Sequence, residues 1–408
     1  MIGRKIRELR LHLGLSQQQL GGAELSRSMI CLLEKGRSNP SCATLQILAQ
    51  RLGKPVEYFL EDTPDPGDVQ VVETLLKYLE RNGPKNLPDA IRQVISTVKL
   101  SQRLDRPDLE GQARLMLGRL HMEAGQWEQA IEVLDECADM YRMAHMNNGV
   151  AMALFQAGKA AFLAEDLAAA RRYYNRALRV MEQRKDLLEL RCRCLINLAT
   201  CCLRLSVEDF GQRYYQEALE AANLGGLGAA LQGQAAMGLG LVYRQQKDLP
   251  RARQVMLTAM DFLASQNHPS LPMARHNLGV ILAGSGDLAG AIAIFQDCFA
   301  LFRESGDTVR QASVQEELAG CHLRCGELAA AEHACREALS LLDVKDEGII
   351  RGRVYRLLGQ IHEQRGNQQR STELYWTSRE ILRRVRANQE LATTNQYLEA
   401  LLPVGETP

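Results

Sequence analysis

The sequence predicts an all-α chain in two parts, and three observations carry that expectation. Residues 15–36 read as two short capped helices joined by a glycine turn. From residue 70 onward, small residues inside apolar helices recur every 39 to 41 positions. Between the two patterns, Thr63-Pro64-Asp65-Pro66-Gly67-Asp68 has nothing to bury and punctuates the chain, so 63–69 is expected to be a linker. At 408 residues the chain also exceeds what one hydrophobic core usually serves.

The first part, 1–62, begins with an apolar stripe of Ile2, Ile6, Leu9 and Leu13 on a helix made basic by Arg4, Lys5, Arg7 and Arg10. Ser16 caps a second helix, with Gln19 at the capping-box position three residues later. Gly21 and Gly22 break it and let the backbone turn sharply. Ser26 caps a third helix whose apolar side is Met29, Ile30 and Leu33, and Gly36 stops it after Lys35. Pro40 forbids helix until Ser41 caps a fourth, which buries Leu45, Leu48, Ala49 and Leu52. Gly53-Lys54-Pro55 ends that helix, and Val56, Phe59 and Leu60 close the core with a fifth. A helix-turn-helix of this kind presents the N-terminal end of its second helix, the third of the chain, to the DNA major groove. The charge agrees: 1–62 hold nine Lys and Arg against six Asp and Glu, in a chain of zero net charge that argues against a general nucleic-acid coat protein.

This run resembles the lambda-repressor-like (Cro/C1, or XRE) helix-turn-helix family, through Leu15-Ser16-Gln17, Leu20, Ser26-Arg27-Ser28, Ile30, Leu33-Glu34-Lys35-Gly36, Asn39-Pro40-Ser41, Leu45, Ala49 and Leu52-Gly53. The turn Gly21-Gly22-Ala23-Glu24 is one residue shorter than is usual there. The resemblance implies that Gln17, Arg27 and Ser28 meet phosphates or base edges of double-stranded DNA, that Leu32 touches the groove apolarly, and that Arg37 and Asn39 contact phosphates. Arg27 could grip guanine N7 and O6 bidentately or neutralise a phosphate. Glu34 would be repelled by DNA, so it is expected to pair or cap within the domain.

In the second part, 70–402, the phrases Leu117-Gly118, Ala157-Gly158, Leu198-Ala199, Leu239-Gly240, Leu278-Gly279, Leu318-Ala319 and Leu358-Gly359 each lie in a first helix. Each leads through a Gly-, Asp- or Glu-rich turn to a second helix with an early small residue, as in Gly286-Asp287-Leu288 and Ala291. The small residues let the two helices of a pair approach closely. Seven such units cannot each own a core and must stack. Residues 70–105 add a partial leading repeat turned at Pro84 and Pro88, and 390–402 a capping helix. The phrases resemble the tetratricopeptide repeat, which implies a right-handed α-solenoid with the first helices on its concave wall. Counting from the small residues places Gln156, Lys159, Arg193, Asn197, Arg204, Gln234, Arg244, His276 and Asn277 on that wall, with Asn197 and Asn277 in the same register. An asparagine there can both donate to and accept from an extended peptide.

The chemistry of an enzyme is missing from these patterns. Gly238-Leu239-Gly240 lacks a third glycine and a preceding strand, and His362-Glu363 lacks a second histidine, so no catalytic residue and no cofactor is expected. Eleven cysteines point to a reducing cytoplasm. Their spacing gives no CxxC knuckle for zinc, while Cys137, Cys298 and Cys335 fall on packing positions of the repeat, so no metal is expected. The Gly/Ala-rich stretch 225–242 is interrupted by Gln232 and Gln234, and no membrane span is expected. The whole architecture resembles the RRNPP group of peptide-sensing regulators. That implies a cytoplasmic homodimeric transcription regulator, its repeats binding a short peptide or a partner protein. An adaptor that binds a partner protein, or a Rap-like phosphatase of response regulators, remains the alternative.

Overall fold

The computed structural model describes residues 2–38, 40–56, 66–182, 184–342 and 348–401, and no strand occurs among them. The chain divides into two compact units, Met1–Ala164 and Glu165–Pro408.

The first unit starts with α1 (Ile2–His12), α2 (Gln17–Gly21), α3 (Arg27–Glu34) and α4 (Cys42–Arg51). Their starts are fixed by serine caps: the side chains of Ser16, Ser26 and Ser41 accept from the backbone N–H of Gln19, Met29 and Thr44, and Gln19 completes the capping box. Ile6, Leu20, Ile30, Leu33, Leu45, Leu48, Ala49 and Leu52 form a small shared core. Two residues assigned to that core from the sequence stand outside it. Leu13 lies one residue beyond the end of α1 and is 49% exposed; Met29, turned about 100° from Ile30 on α3, is 41% exposed. Of the fifth helix only Val56 falls within the described residues; Phe59 and Leu60 lie outside them.

The unit continues with α5 (Pro66–Asn82), which opens inside the stretch 63–69 read as a linker, then α6 (Leu87–Arg103), α7 (Pro107–Glu123), α8 (Trp127–Met143) and α9 (Asn147–Leu163). Tyr141 of α8, 4% exposed, is flanked by two glycines. A Cβ on Gly111 of α7 would lie 1.9 Å from the ring, and one on Gly149 of α9 2.5 Å from it. Bare backbone on both neighbours is what admits the ring.

The second unit holds α10 (Leu167–Val180), α11 (Leu188–Arg204), α12 (Glu208–Leu224), α13 (Ala229–Gln245), α14 (Leu249–Ala264) and α15 (Leu271–Ser285). It continues with α16 (Leu288–Glu304), α17 (Thr308–Arg324), α18 (Leu328–Leu341), α19 (Ile349–Gln364), α20 (Gln368–Arg384) and α21 (Asn388–Leu401). The Gly-Asp phrase has a direct physical meaning. Gly286, with φ 92°, closes α15 in the left-handed region, and the Asp287 side chain caps α16 by accepting from Gly290 N–H. Glu165 and Lys247 hold the same left-handed conformation ahead of the caps Asp166 and Asp248. A Cβ on Gly279 or Gly359 would lie 2.6 Å from Phe295 or Tyr375 of the following helix, so each small residue makes room for a large one. Each helix packs on its chain neighbours, and α11, α13, α15, α17 and α19 also touch in succession, forming an inner row.

The cysteines are packing residues. Cys137, Cys192, Cys194, Cys201, Cys202, Cys298, Cys321 and Cys335 are buried, and burial pushes the Cys137 and Cys335 thiols up to about 12. Among the described residues, no helix is long and apolar enough to cross a membrane.

Candidate DNA-binding surface and repeat groove

The helix-turn-helix is locked from inside by charge. Arg10 lies on the same face of α1 as Ile6, one turn on, and points inward: its Nε donates to Glu34 Oε1 at 2.6 Å, its Nη2 to Oε2 at 3.1 Å and its Nη1 to the Leu15 carbonyl at 2.8 Å. Both side chains of the pair are buried. Gln17 Nε2 donates to Glu34 Oε2 at 2.8 Å. Burial works against charge on Glu34, but the bonds from Arg10 and Gln17 hold its carboxyl below the usual 4.5.

A second clamp sets the turn. Arg51 at the end of α4 donates to the Leu20 carbonyl at 2.9 Å and to the Gly21 carbonyl, and pairs with Glu24. Gly22 sits beneath it with φ 55°, where a Cβ would lie 2.6 Å from the guanidinium. Arg51→Met, which keeps the stem and removes the donors, is expected to cost the domain about 1.5–3 kcal/mol. Hydrogen exchange of the α2 and α3 amides measures this. Unchanged protection would show that the turn holds itself.

With its inner face tied down, α3 leaves its N-terminal end free. Arg27, Ser28 and Leu32 are exposed, Leu32 to 43%. Arg27 and the exposed Arg37 make no ion pair among the described residues. Gln17, at the start of α2, is half-buried with its amide donating to Glu34 rather than pointing free. Asn39 lies outside the described residues.

The residues placed on the repeat wall divide between the units. In the first, Gln156 shares a groove of about 530 Å³ with Glu80, Gln112 and Arg119, and Lys159 is exposed outside it. In the second, Arg193 pairs with Glu189 of its own helix and Arg204 with Glu165. Asn197 donates to Tyr174 Oη at 3.4 Å, Gln234 Nε2 lies 3.3 Å from His268 Nε2, and Asn277 is half-buried.

Arg244 and His276 belong to a polar cluster that sequence reasoning saw only in part. The His276 ring lies tilted against Phe295, centroids 5.6 Å apart, and both its nitrogens are buried without a hydrogen-bond partner among the described residues. Burial, with Arg244 and Arg353 nearby, pushes it down to about 4, so it is neutral at pH 7. Glu316 meets Arg353 Nη2 at 2.6 Å, and Arg356 meets Glu390 at 2.6 Å. Glu317 makes no hydrogen bond or ion pair among the described residues; burial lifts its carboxyl above the usual range against the pull of Arg353 and Arg244. It lines a cavity of about 780 Å³ between α15, α17, α19 and α21. Its signal was present in the sequence: Glu317 stands two residues before Ala319, the register of Asn197 before Ala199 and Asn277 before Gly279.

The family model described as helix-turn-helix matches residues 6–59, and the tetratricopeptide repeat model matches 109–183 and 231–304. No curated protein matches the chain. Among solved structures, the apo form of RapI aligns with TM-score 0.57 and 17% identity, covering 68% of this chain and 100% of that one. Aspartyl phosphate phosphatase F from Bacillus subtilis aligns with TM-score 0.56 and 14% identity, covering 93% and 94%. A Rap protein complexed with competence and sporulation factor aligns with TM-score 0.50 and 14% identity, covering 81% and 97%. At such identities the likeness is one of fold. The chain thus carries an XRE-type helix-turn-helix at its N-terminus, followed by tetratricopeptide repeats.

Proposed function

We propose that this chain is a sequence-specific transcriptional regulator of the cytoplasm whose repeats receive a peptide or protein signal. The observation that carries this reading is the exposed, serine-capped N-terminal end of α3, with Arg27, Ser28 and Leu32 on it and Arg37 just beyond. Two copies are expected to act together, because one eight-residue helix buries too little DNA for specific affinity. The groove of the second unit, with Arg244, His276 and Glu317 unpaired among the described residues, supports a ligand there, alongside Asn197 and Asn277. The Rap protein of similar fold, complexed with its competence and sporulation factor, is consistent with such a role for repeats. A ligand that favours one arrangement of the repeats would shift the placement of the two heads on DNA.

Sequencing the DNA fragments retained by the purified protein tests the regulator reading. One operator should be enriched, and Arg27→Ala should weaken it about 10- to 100-fold while leaving non-specific binding largely in place. A uniform loss on every fragment would make Arg27 a phosphate contact. Retention without any preferred sequence would overturn the reading.

A further inference from the structure

The cavity of the second unit is lined by a carboxylate, Glu317, that makes no hydrogen bond or ion pair among the described residues. Its volume of about 780 Å³ is in the range of sites that enclose small ligands. The other charged groups on its wall are spent: Glu363 accepts from Tyr375 Oη at 2.6 Å, and Arg324 Nη1 donates to the Ala283 carbonyl at 2.6 Å. Of these three, Glu317 makes no hydrogen bond or ion pair among the described residues.

The ionisable groups near it are engaged elsewhere or form no pair with it. Glu316 is 8% exposed, and its Oε2 makes no well-formed hydrogen bond although Arg353 Nη2 lies 2.6 Å away. Arg356 is taken by Glu390. The His276 nitrogens are buried and unpartnered. Arg244 lies within electrostatic reach of Glu317 and forms no ion pair with it. Buried polar groups are ordinarily satisfied, and of these groups Glu317 is the one that lines the cavity, where an occupant can reach it. Leu357 and Tyr397 line the same cavity, and Tyr397 is held by stacking on Tyr375 at 5.4 Å. Such a lining suits the stem and face of a cationic side chain.

We propose that Glu317 receives a cationic group of a short peptide, an ammonium or a guanidinium, in the cavity between α15, α17, α19 and α21. The assignment rests on the reading that the repeats bind a peptide.

Immobilised full-length protein incubated with a pooled random pentapeptide library, half of it N-acetylated, tests this by mass spectrometry of what is retained. Peptides with a free amine, Lys or Arg should be enriched about tenfold, the gain expected for one charge-assisted hydrogen bond. Enrichment lost on acetylation identifies the terminal ammonium; enrichment that persists identifies the side chain. Glu317→Gln, near-isosteric and checked for an unchanged melt, should lose the preference, and Glu317→Lys should retain acidic peptides instead. Retained peptides with no cationic preference, or an unaltered preference in both variants, would overturn the role of Glu317 and leave the groove reading intact. If no peptide is retained at all, the peptide reading itself falls, and this assignment with it.

Discussion

Glu34→Ala is expected to destabilise the helix-turn-helix domain by about 3–5 kcal/mol, enough to unfold it alone in most conditions. The reason is what remains behind. Arg10 would keep its guanidinium in a site where its side chain is 10% exposed, with the carboxylate gone and only the Leu15 carbonyl left to accept. The Gln17 amide would lose its acceptor in the same step. Amide exchange across α1–α4 reads this directly, since the repeats would keep their protection. The double change Arg10→Met with Glu34→Leu should restore much of the loss by replacing charges with apolar volume. The pair also sets an acid limit. Because Glu34 is held below its usual 4.5, its contribution is complete above that pH and is lost as the pH falls through the lowered value. Protection that survives in Glu34→Ala at neutral pH would show the pair to be dispensable.

Gly111→Ala or Gly149→Ala should each cost the first unit about 3 kcal/mol, despite the better helix propensity of alanine. The new methyl at 149 would meet the base of the Tyr141 ring, at 2.5 Å from Cγ and 2.6 Å from both Cδ atoms. At 111 it would meet the tip, 1.9 Å from Cζ and 2.1 Å from Oη. A ring blocked at both ends cannot relieve one contact without worsening the other. Combining either alanine with Tyr141→Ala is therefore expected to cost far less than the sum, a coupling that denaturant titration of the two double variants would reveal. Simple additivity would mean the ring yields.

Much of this architecture was legible because its signals are local. Ser16, Ser26 and Ser41 cap where serine before an apolar run should cap, and Asp166, Asp248 and Asp287 cap second helices in the turns read as rich in Gly, Asp or Glu. The small residues Gly118, Ala199, Gly240, Gly279, Ala319 and Gly359 each fall in the first helix of a packed pair. Interactions between distant residues were not legible. Arg51 reaches back about thirty residues to the Leu20 and Gly21 carbonyls, and no spacing announces it. Arg10 looked like one more surface cation beside Arg7, although its place one turn after Ile6 put it on the buried stripe. On the repeat wall, counting could not tell paired groups from unpaired ones: Arg193 and Arg204 pair with Glu189 and Glu165, while Glu317 makes no hydrogen bond or ion pair among the described residues.

The packing cysteines turn the repeats into their own gauge of opening. Eight buried thiols run from Cys137 to Cys335, while Cys325 is exposed and Cys31 half-buried on α3. An alkylating reagent meets the exposed thiol at once and the others only when a hairpin parts from its neighbour. Sites of adduct formation, mapped over time, would thus chart which hairpins breathe, without any label being introduced.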